Sequence, residues 1–331
     1  MPEGFSDSVR ADPDVGAVLV GRVATLPLVR TLGSGGEVVD EVRPGWHLPV
    51  EVIAFDPAEH RAAFDQPMLS GLAPDEAVLS ETSARIRRLG AGSRLVFEDG
   101  VELEVVDVIP DRWVGGGEVI VGSDSLLTVT RERFLLTRPA EPGADLEPAL
   151  RSHVPSDLRA TVARPGDTPI LRHADAVLSP ARVKELFGEF SMREAAGRSI
   201  EQDPAWVDEH IASGRVPILG QITCHREVLP AVRGALEQVV DEGLRSAVDP
   251  ADYAGCWSPR TQAVGEPLSH HSWGIAIDLN AAANPFGGES TQHPRLVEIM
   301  RAWGFTWGDP WLIADPMHFE AGHHWGTRPA N

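Results

Sequence analysis

The sequence predicts an α+β protein in two parts, a β-rich N-terminal half and a C-terminal half that mixes helices with antiparallel strands. Three observations carry this. Apolar, β-branched runs fill residues 15 to 137, and capped helix signatures dominate from residue 179 onward. Between them lies a polar stretch, 138 to 169, with six prolines. The expected organisation is a β-rich domain over 1–137, a linker over 138–169 and a second domain over 170–331. The chain has 331 residues and is 42% hydrophobic, enough for two cores and too apolar for a disordered polymer.

In the first part, "VGAVLVGRV", "VEVIAF", "RLVFEDGVELEVVDVI" and "LLTVT" read as strands, with Asp99-Gly100 as a hairpin turn inside the third. "SETSARIRRLG" reads as a helix capped by Ser80 and stopped by Gly90. In the second part, Ser179-Pro180 opens "SPARVKELFGEF" and Asp203-Pro204 opens "DPAWVDEHIASG", each as a helix start. "LPAVRGALEQVVDEGL" sets Leu229, Val232, Leu236 and Val239 on one helix face and ends at Gly243. "HPRLVEIMRAWG" is a further helix closed by Gly304.

A net charge of −20 argues against nucleic acid and anionic lipid as partners, because an acidic field repels both. No apolar run is long enough to span a membrane, and "MPEGFSDSVR" lacks the regions of a signal peptide. That leaves a cytoplasmic protein or an exported domain separated from its leader or anchor. The two cysteines, Cys224 and Cys256, fit one disulfide of an exported protein or two buried thiols. They flank the approach to the long helix and the segment that delivers Arg260, so a disulfide is the expectation.

Two further stretches carry chemistry. In "LSHHSWGIAIDLN", Ile275, Ile277 and Leu279 alternate with Ala276, Asp278 and Asn280, the period of a strand with one buried face. In "ADPMHFEAG", His318 and Glu320 oppose Met317 and Phe319. His271 and Asp278 from the first strand region and His318 from the second make a three-ligand set for zinc. Such a set leaves a fourth position open for water, as catalytic zinc requires. Asp315 stands at the entrance of the second strand, ahead of Pro316, as a carboxylate able to act as base.

Singly, these residues have plainer readings: a strand Asp facing solvent, a hydrogen-bonded His, an Asp opening a turn, an Arg in a structural ion pair. Together they resemble a family. "SHHSWGIAID" and "DPMHFE" fit the two signatures of D-alanyl-D-alanine carboxypeptidase-type zinc peptidases, in the wider group that includes lysostaphin and hedgehog domains. "NPFGG" and "GFTWGDPW" look like the same branch. The resemblance covers roughly 185 to 325. It implies a zinc peptidase fold with an antiparallel sheet and flanking helices, and zinc held by His271, Asp278 and His318. It further implies Asp315 as catalytic base, Arg260 steadying substrate and oxyanion, and Ser269 near the substrate. Glu320 is read as orienting a ligand, binding a substrate amine or filling a plain structural role, and His270 as supporting the site or lining its rim. His323 and His324 are expected to face solvent, and Trp303, Trp307 and Trp311 to form core and cleft wall.

The implied activity is hydrolysis of an amide bond in peptidoglycan stem peptides, D-Ala-D-Ala carboxypeptidase first. An L-Ala-D-Glu-type endopeptidase and a non-catalytic zinc-containing binding module are the rival readings. The N-terminal half, from "AVLSETSARIRRLG" to "VVDVIPD", resembles extracytoplasmic domains of ABC-transporter permeases. That implies an extracytoplasmic or cell-surface location and a protein partner for this half.

Overall fold

The computed structural model describes residues 4–64, 71–111, 117–155, 162, 178–262, 267–311, 313–322 and 325. His323 and His324 lie outside the described residues. The chain divides into two compact units, Met1–Arg164 and Pro165–Asn331.

The first unit runs α1 (Phe5–Arg10), β1 (Val15–Leu32), β2 (Val38–Glu41), β3 (Leu48–Phe55), α2 (Pro57–Phe64), β4 (Glu76–Ser80) and α3 (Glu81–Arg87). It continues with β5 (Arg94–Phe97), β6 (Glu102–Ile109), β7 (Val119–Gly122), β8 (Glu132–Pro139) and α4 (Glu147–Ser152). At 18 residues, β1 is long enough to pair successive segments with β8, β3, β5 and β2. The order β1-β3-β7-β4-β6-β5 returns to β1, so the sheet closes into a barrel. Alternate residues fill its interior, among them Val50, Val52, Ala77, Leu79, Leu103, Val105 and Phe97. The Asp99-Gly100 turn joins β5 to β6: Gly100 takes φ 84° and Asp99 accepts the Val101 amide at 3.1 Å.

Two local expectations fail here. "LLTVT" buries Leu127 and Val129 in the barrel but forms no strand. A turn at Gly122–Ser125 sends its backbone to the Pro74 carbonyl, which accepts the Leu126 amide at 2.8 Å, and the strand forms later as β8. Helix α3 stops at Arg88, which itself takes a left-handed φ of 57°, rather than at Gly90. Part of the proline-rich stretch is folded: β8 reaches Pro139, and His153 after α4 pairs with Asp12 at 2.7 Å.

The second unit runs α5 (Pro180–Phe187), β9 (Met192–Glu194), β10 (Ile200–Gln202), α6 (Pro204–His210), β11 (Ile211–Val216) and β12 (Gly220–His225). It ends with α7 (Leu229–Asp241), β13 (Ala276–Asp278), α8 (Pro294–Ala302), β14 (Phe305–Gly308) and β15 (Asp315–Ala321). Ser179 and Asp203 cap α5 and α6 through their side chains, as their positions before proline predict. The expected continuation of α6 through "IASG" does not occur. Ile211 begins β11, whose ladder with β12 runs from Ile211↔His225 to Val216↔Gly220. β-branched Ile211 and Gly214 are poor helix formers, and the hairpin satisfies their backbone instead. Helices α7 and α8 bury Val232, Leu236, Val239, Leu296, Ile299 and Met300 in one core with Ile277 and Phe319 of the sheet. Gly234 leaves room for the Trp303 ring, which a Cβ there would meet at 2.2 Å. The sheet that carries the chemistry has the order β13-β15-β14, antiparallel throughout, with β15 in the centre.

Candidate metal centre

The ladder between β13 and β15 sets Asp278 opposite His318 and Ala276 opposite Glu320. Cross-strand partners share a face, so the Asp278 carboxylate meets the His318 ring directly, Oδ1 to Nδ1 at 3.0 Å.

His271, expected from the same strand region as Asp278, lies ahead of the strand rather than on it. It sits in a 3-10 turn, His270–Trp273, which the Ser269 hydroxyl caps by accepting the His271 amide. Gly274 ends the turn with φ 67°. A Cβ there would stand 2.6 Å from the His225 nitrogen, so both conformation and space call for glycine. The turn swings His271 Nε2 to 3.1 Å from Asp278 Oδ2 and 3.3 Å from His318 Nδ1. Its other nitrogen, Nδ1, lies 2.8 Å from the Cys256 carbonyl; donating its proton there leaves Nε2 as a lone pair. Cys256 is itself held by a disulfide to Cys224, with Cα atoms 5.3 Å apart.

One donor atom each from His271, Asp278 and His318 therefore converges, all within 4.8 Å of one another, and all three residues are buried. Ligands at about 2.0–2.1 Å in a tetrahedron stand roughly 3.3 Å apart. The His271 and His318 nitrogens stand 3.3 Å apart, and each lies 3.0–3.1 Å from a different oxygen of the Asp278 carboxylate, so the spacing is of that order; two imidazoles with one carboxylate suit a borderline-soft divalent cation.

The charges point the same way. Burial opposes charge on Asp278, but its contacts with the His271 and His318 rings outweigh it and hold the carboxyl well below the usual range. Burial likewise works against charge on His318. Its contacts with Asp278 and Glu320 prevail and push its pKa up to about 10. Without a metal, a proton on His318 offsets the two carboxylates; a cation at the same point would take over that task. His271 is pushed down by burial and stays neutral, as a ligand must.

Asp315 stands at the start of β15, opposite Gly308 of β14. Its Oδ1 is buried with no hydrogen-bond partner among the described residues. Burial first, then repulsion from Asp278 and Glu320, pushes its pKa up to about 6 against the pull of His318 and Arg260. Arg260 is half-buried within the field of Asp278 and Asp315, and its guanidinium makes no hydrogen bond to a described residue. The Ser272 hydroxyl fixes its backbone from both sides, at 2.9 and 2.8 Å.

The remaining expected residues fall in mixed places. Ser269 is buried and its hydroxyl is used in the turn. Glu320 is buried, with Oε2 at 3.0 Å from His318 Nε2 and 2.8 Å from His270 Nδ1, so it faces the ligand ring rather than open solvent. The Trp311 ring lies 5.1 Å from His318, Trp307 stacks on Phe319 and Trp303 packs on α7. Two features had no signal in the sequence: the Cys256 carbonyl that orients His271, and Tyr253. The phenol of Tyr253 is pushed up to about 12 by burial and by the charge of Asp278, so it remains a proton donor beside the cluster.

The site is thus a buried set of three donors that could hold a cation, with a carboxylate of raised pKa and an arginine beside it, an arrangement suited to hydrolysis. Residues 263–321, which contain nearly all of it, match the family model described as D-alanyl-D-alanine carboxypeptidase. The match supports a peptidase role for the C-terminal region. No curated protein sequence matches the chain. Among solved structures, the periplasmic region of MacB from Actinobacillus actinomycetemcomitans is similar at 10% identity, covering 45% of this chain and 69% of that one, with a TM-score of 0.30. A permease-protein domain from Porphyromonas gingivalis is similar at 14% identity, covering 45% and 67%, with a TM-score of 0.28. No helix among the described residues is long and apolar enough to cross a membrane.

Proposed function

We propose that the C-terminal domain, 170–331, is a zinc-dependent peptidase that hydrolyses an amide bond in peptidoglycan stem peptides, acting as a D-Ala-D-Ala carboxypeptidase. The observation that carries this is the convergence of His271, Asp278 and His318 within 4.8 Å, with Asp315 Oδ1 beside them and without a hydrogen-bond partner among the described residues.

His271 Nε2, the Asp278 carboxylate and His318 Nδ1 would hold the ion. Bound zinc supplies a Lewis acid that acidifies water and polarises a carbonyl. Asp315 Oδ1 accepts the proton of the attacking water, and its raised pKa suits a base working near neutrality. The water oxygen bonds to the carbonyl carbon, the C–N bond breaks, and Asp315 returns the proton to the departing amine. Arg260 places a fixed positive charge where the oxyanion develops, with its guanidinium free to turn toward substrate. Burial of the cluster in a low-dielectric setting strengthens each of these interactions.

The Cys224–Cys256 bond and a cell-wall substrate support an extracytoplasmic or cell-surface location. The N-terminal domain, 1–137, with 138–169 joining it to the peptidase, would serve a protein partner. The test is incubation of the zinc-loaded chain with a muropeptide ending in D-Ala-D-Ala, followed by mass spectrometry. Release of a single D-alanine supports the carboxypeptidase. Cleavage between L-Ala and D-Glu reassigns the bond, and no product from any stem peptide leaves a binding module.

A further inference from the structure

The paired histidines pose a question that the ligand assignment leaves open. His271 donates to the cluster, but His270 is equally buried, at 6% exposure, and a buried imidazole needs a partner. In a 3-10 turn successive side chains point about a third of a turn apart, so two adjacent histidines cannot serve one point. The turn aims them at opposite sides of the same ring. His271 Nε2 approaches His318 Nδ1 at 3.3 Å, while His270 Nδ1 reaches Glu320 Oε2 at 2.8 Å, and that same oxygen lies 3.0 Å from His318 Nε2.

We infer that His270 is a positioning residue: it clamps Glu320 so that Glu320 holds His318 in the one tautomer and ring orientation that turns Nδ1 toward the metal. This rests on the zinc reading above.

The chain of contacts works as follows. Glu320 lies opposite Ala276 in the ladder, and the Ala321 amide donates to the Ile275 carbonyl at 2.8 Å, which brings the 3-10 turn directly alongside. With a cation in place of the second proton, His318 keeps Nε2–H donated to Glu320, and Nδ1 is the nitrogen left to ligate. Glu320 Oε1 is buried and has no hydrogen-bond partner among the described residues. Among the described residues, both contacts of the carboxylate therefore fall on Oε2, one from each histidine. Take His270 away and only His318 itself fixes the carboxylate torsion, so the group meant to orient the ring is oriented by nothing else. A buried carboxylate with one donor is also poorly compensated. Trp273 packs edge-on against the His270 ring at 6.4 Å and holds it from behind.

The experiment measures zinc affinity by chelator competition and the visible spectrum of the cobalt(II)-substituted protein, both without substrate. His270→Ala and His270→Phe should weaken zinc binding by roughly 10- to 100-fold, the usual effect of losing a group that orients a ligand. Both should alter the cobalt bands. His270→Asn, whose amide nitrogen can replace Nδ1 as donor, should restore affinity and spectrum in large part. His270→Ala combined with Glu320→Ala should be no worse than Glu320→Ala alone, because the two act in series. His270→Phe keeps the ring volume and guards against a loss that is only packing; near-UV circular dichroism checks that each variant is folded. Zinc affinity within about twofold of wild type in both His270→Ala and His270→Phe, with unchanged cobalt spectra, overturns the inference. So does a His270→Asn variant as weak as His270→Ala. A wild-type chain that binds no zinc overturns the proposed function instead.

Discussion

Replacing Asp315 with Asn separates the base from the ligands, and the structure sets two magnitudes for it. The amide is nearly isosteric but cannot accept a proton at Oδ1, so turnover of a D-Ala-D-Ala muropeptide should fall by about 10²- to 10⁴-fold. Zinc content should not change, since the convergent donors belong to His271, Asp278 and His318. The second magnitude concerns stability of the metal-free chain. The folded pKa of about 6 lies above the ordinary aspartate value of 3.8, so the folded state binds this proton more tightly than the unfolded state. Stability from Asp315 is therefore full below about pH 4 and lost as pH rises through 6. Two pKa units correspond to about 3 kcal/mol at most, and partial solvent access reduces this to roughly 1–2 kcal/mol. Asn carries no charge, so the variant should be the more stable protein by that amount near pH 7.5 and should lose the advantage near pH 4. Urea unfolding of both metal-free proteins at the two pH values reads the difference. Retained turnover in Asp315→Asn would remove it from the base role. Lost zinc would make it a ligand, and equal stability at both pH values would show that burial does not strain the carboxylate.

Elemental analysis of His271→Ala and His318→Ala should show zinc lost from each, because two donors do not make a tight site; full occupancy in both would dismiss the centre. Arg260→Ala should cost about 3 kcal/mol of transition-state stabilisation in kcat/KM, with zinc retained. The unreduced, unfolded chain should show no free thiols by titration, and Cys224→Ser with Cys256→Ser should lose about 3–4 kcal/mol of stability. His225 is lowered to about 4 by burial, so it folds neutral, and its contribution is present above about pH 6.5 and drains away as pH falls toward 4. His225→Gln should flatten that part of the acid limb; unchanged pH dependence in urea midpoints would count against it.

Much of the centre was legible because its parts obey short-range rules. Asp278 and His318 each sit on strands whose alternation is written in their neighbours, and the caps at Ser179 and Asp203 are local side-chain contacts. What escaped was set by distant pairing. The 3-10 turn at His271 depends on Gly274 pressing against the backbone of His225, and "IASG" leaves the helix because β12 offers it a ladder. "LLTVT" has every strand propensity but is captured by Pro74, far back in the chain. The barrel closes through β1, whose apolar pattern carries no mark of which of four strands each segment will meet. Glu320 was placed on the same face as His318 and His270 beside the site, yet the pairing of the two was invisible, since the contact spans 50 residues.

The irregularity in β15 has its own consequence. Phe319 pairs with Trp307 while Asp315 pairs with the very next residue, Gly308, so Pro316, Met317 and His318 bulge away from β14. His318 is registered by Asp278 on the opposite edge. The proposed base and the proposed ligand, three positions apart in one strand, thus answer to different neighbours. A change in β14, such as at Gly308 where a Cβ would meet the Asp315 carbonyl at 2.6 Å, is expected to shift the proposed proton acceptor more than the proposed ligand. Variation along β13 does the reverse. Reactivity and metal retention can drift separately in descendants of this chain, one edge of a three-stranded sheet tuning each.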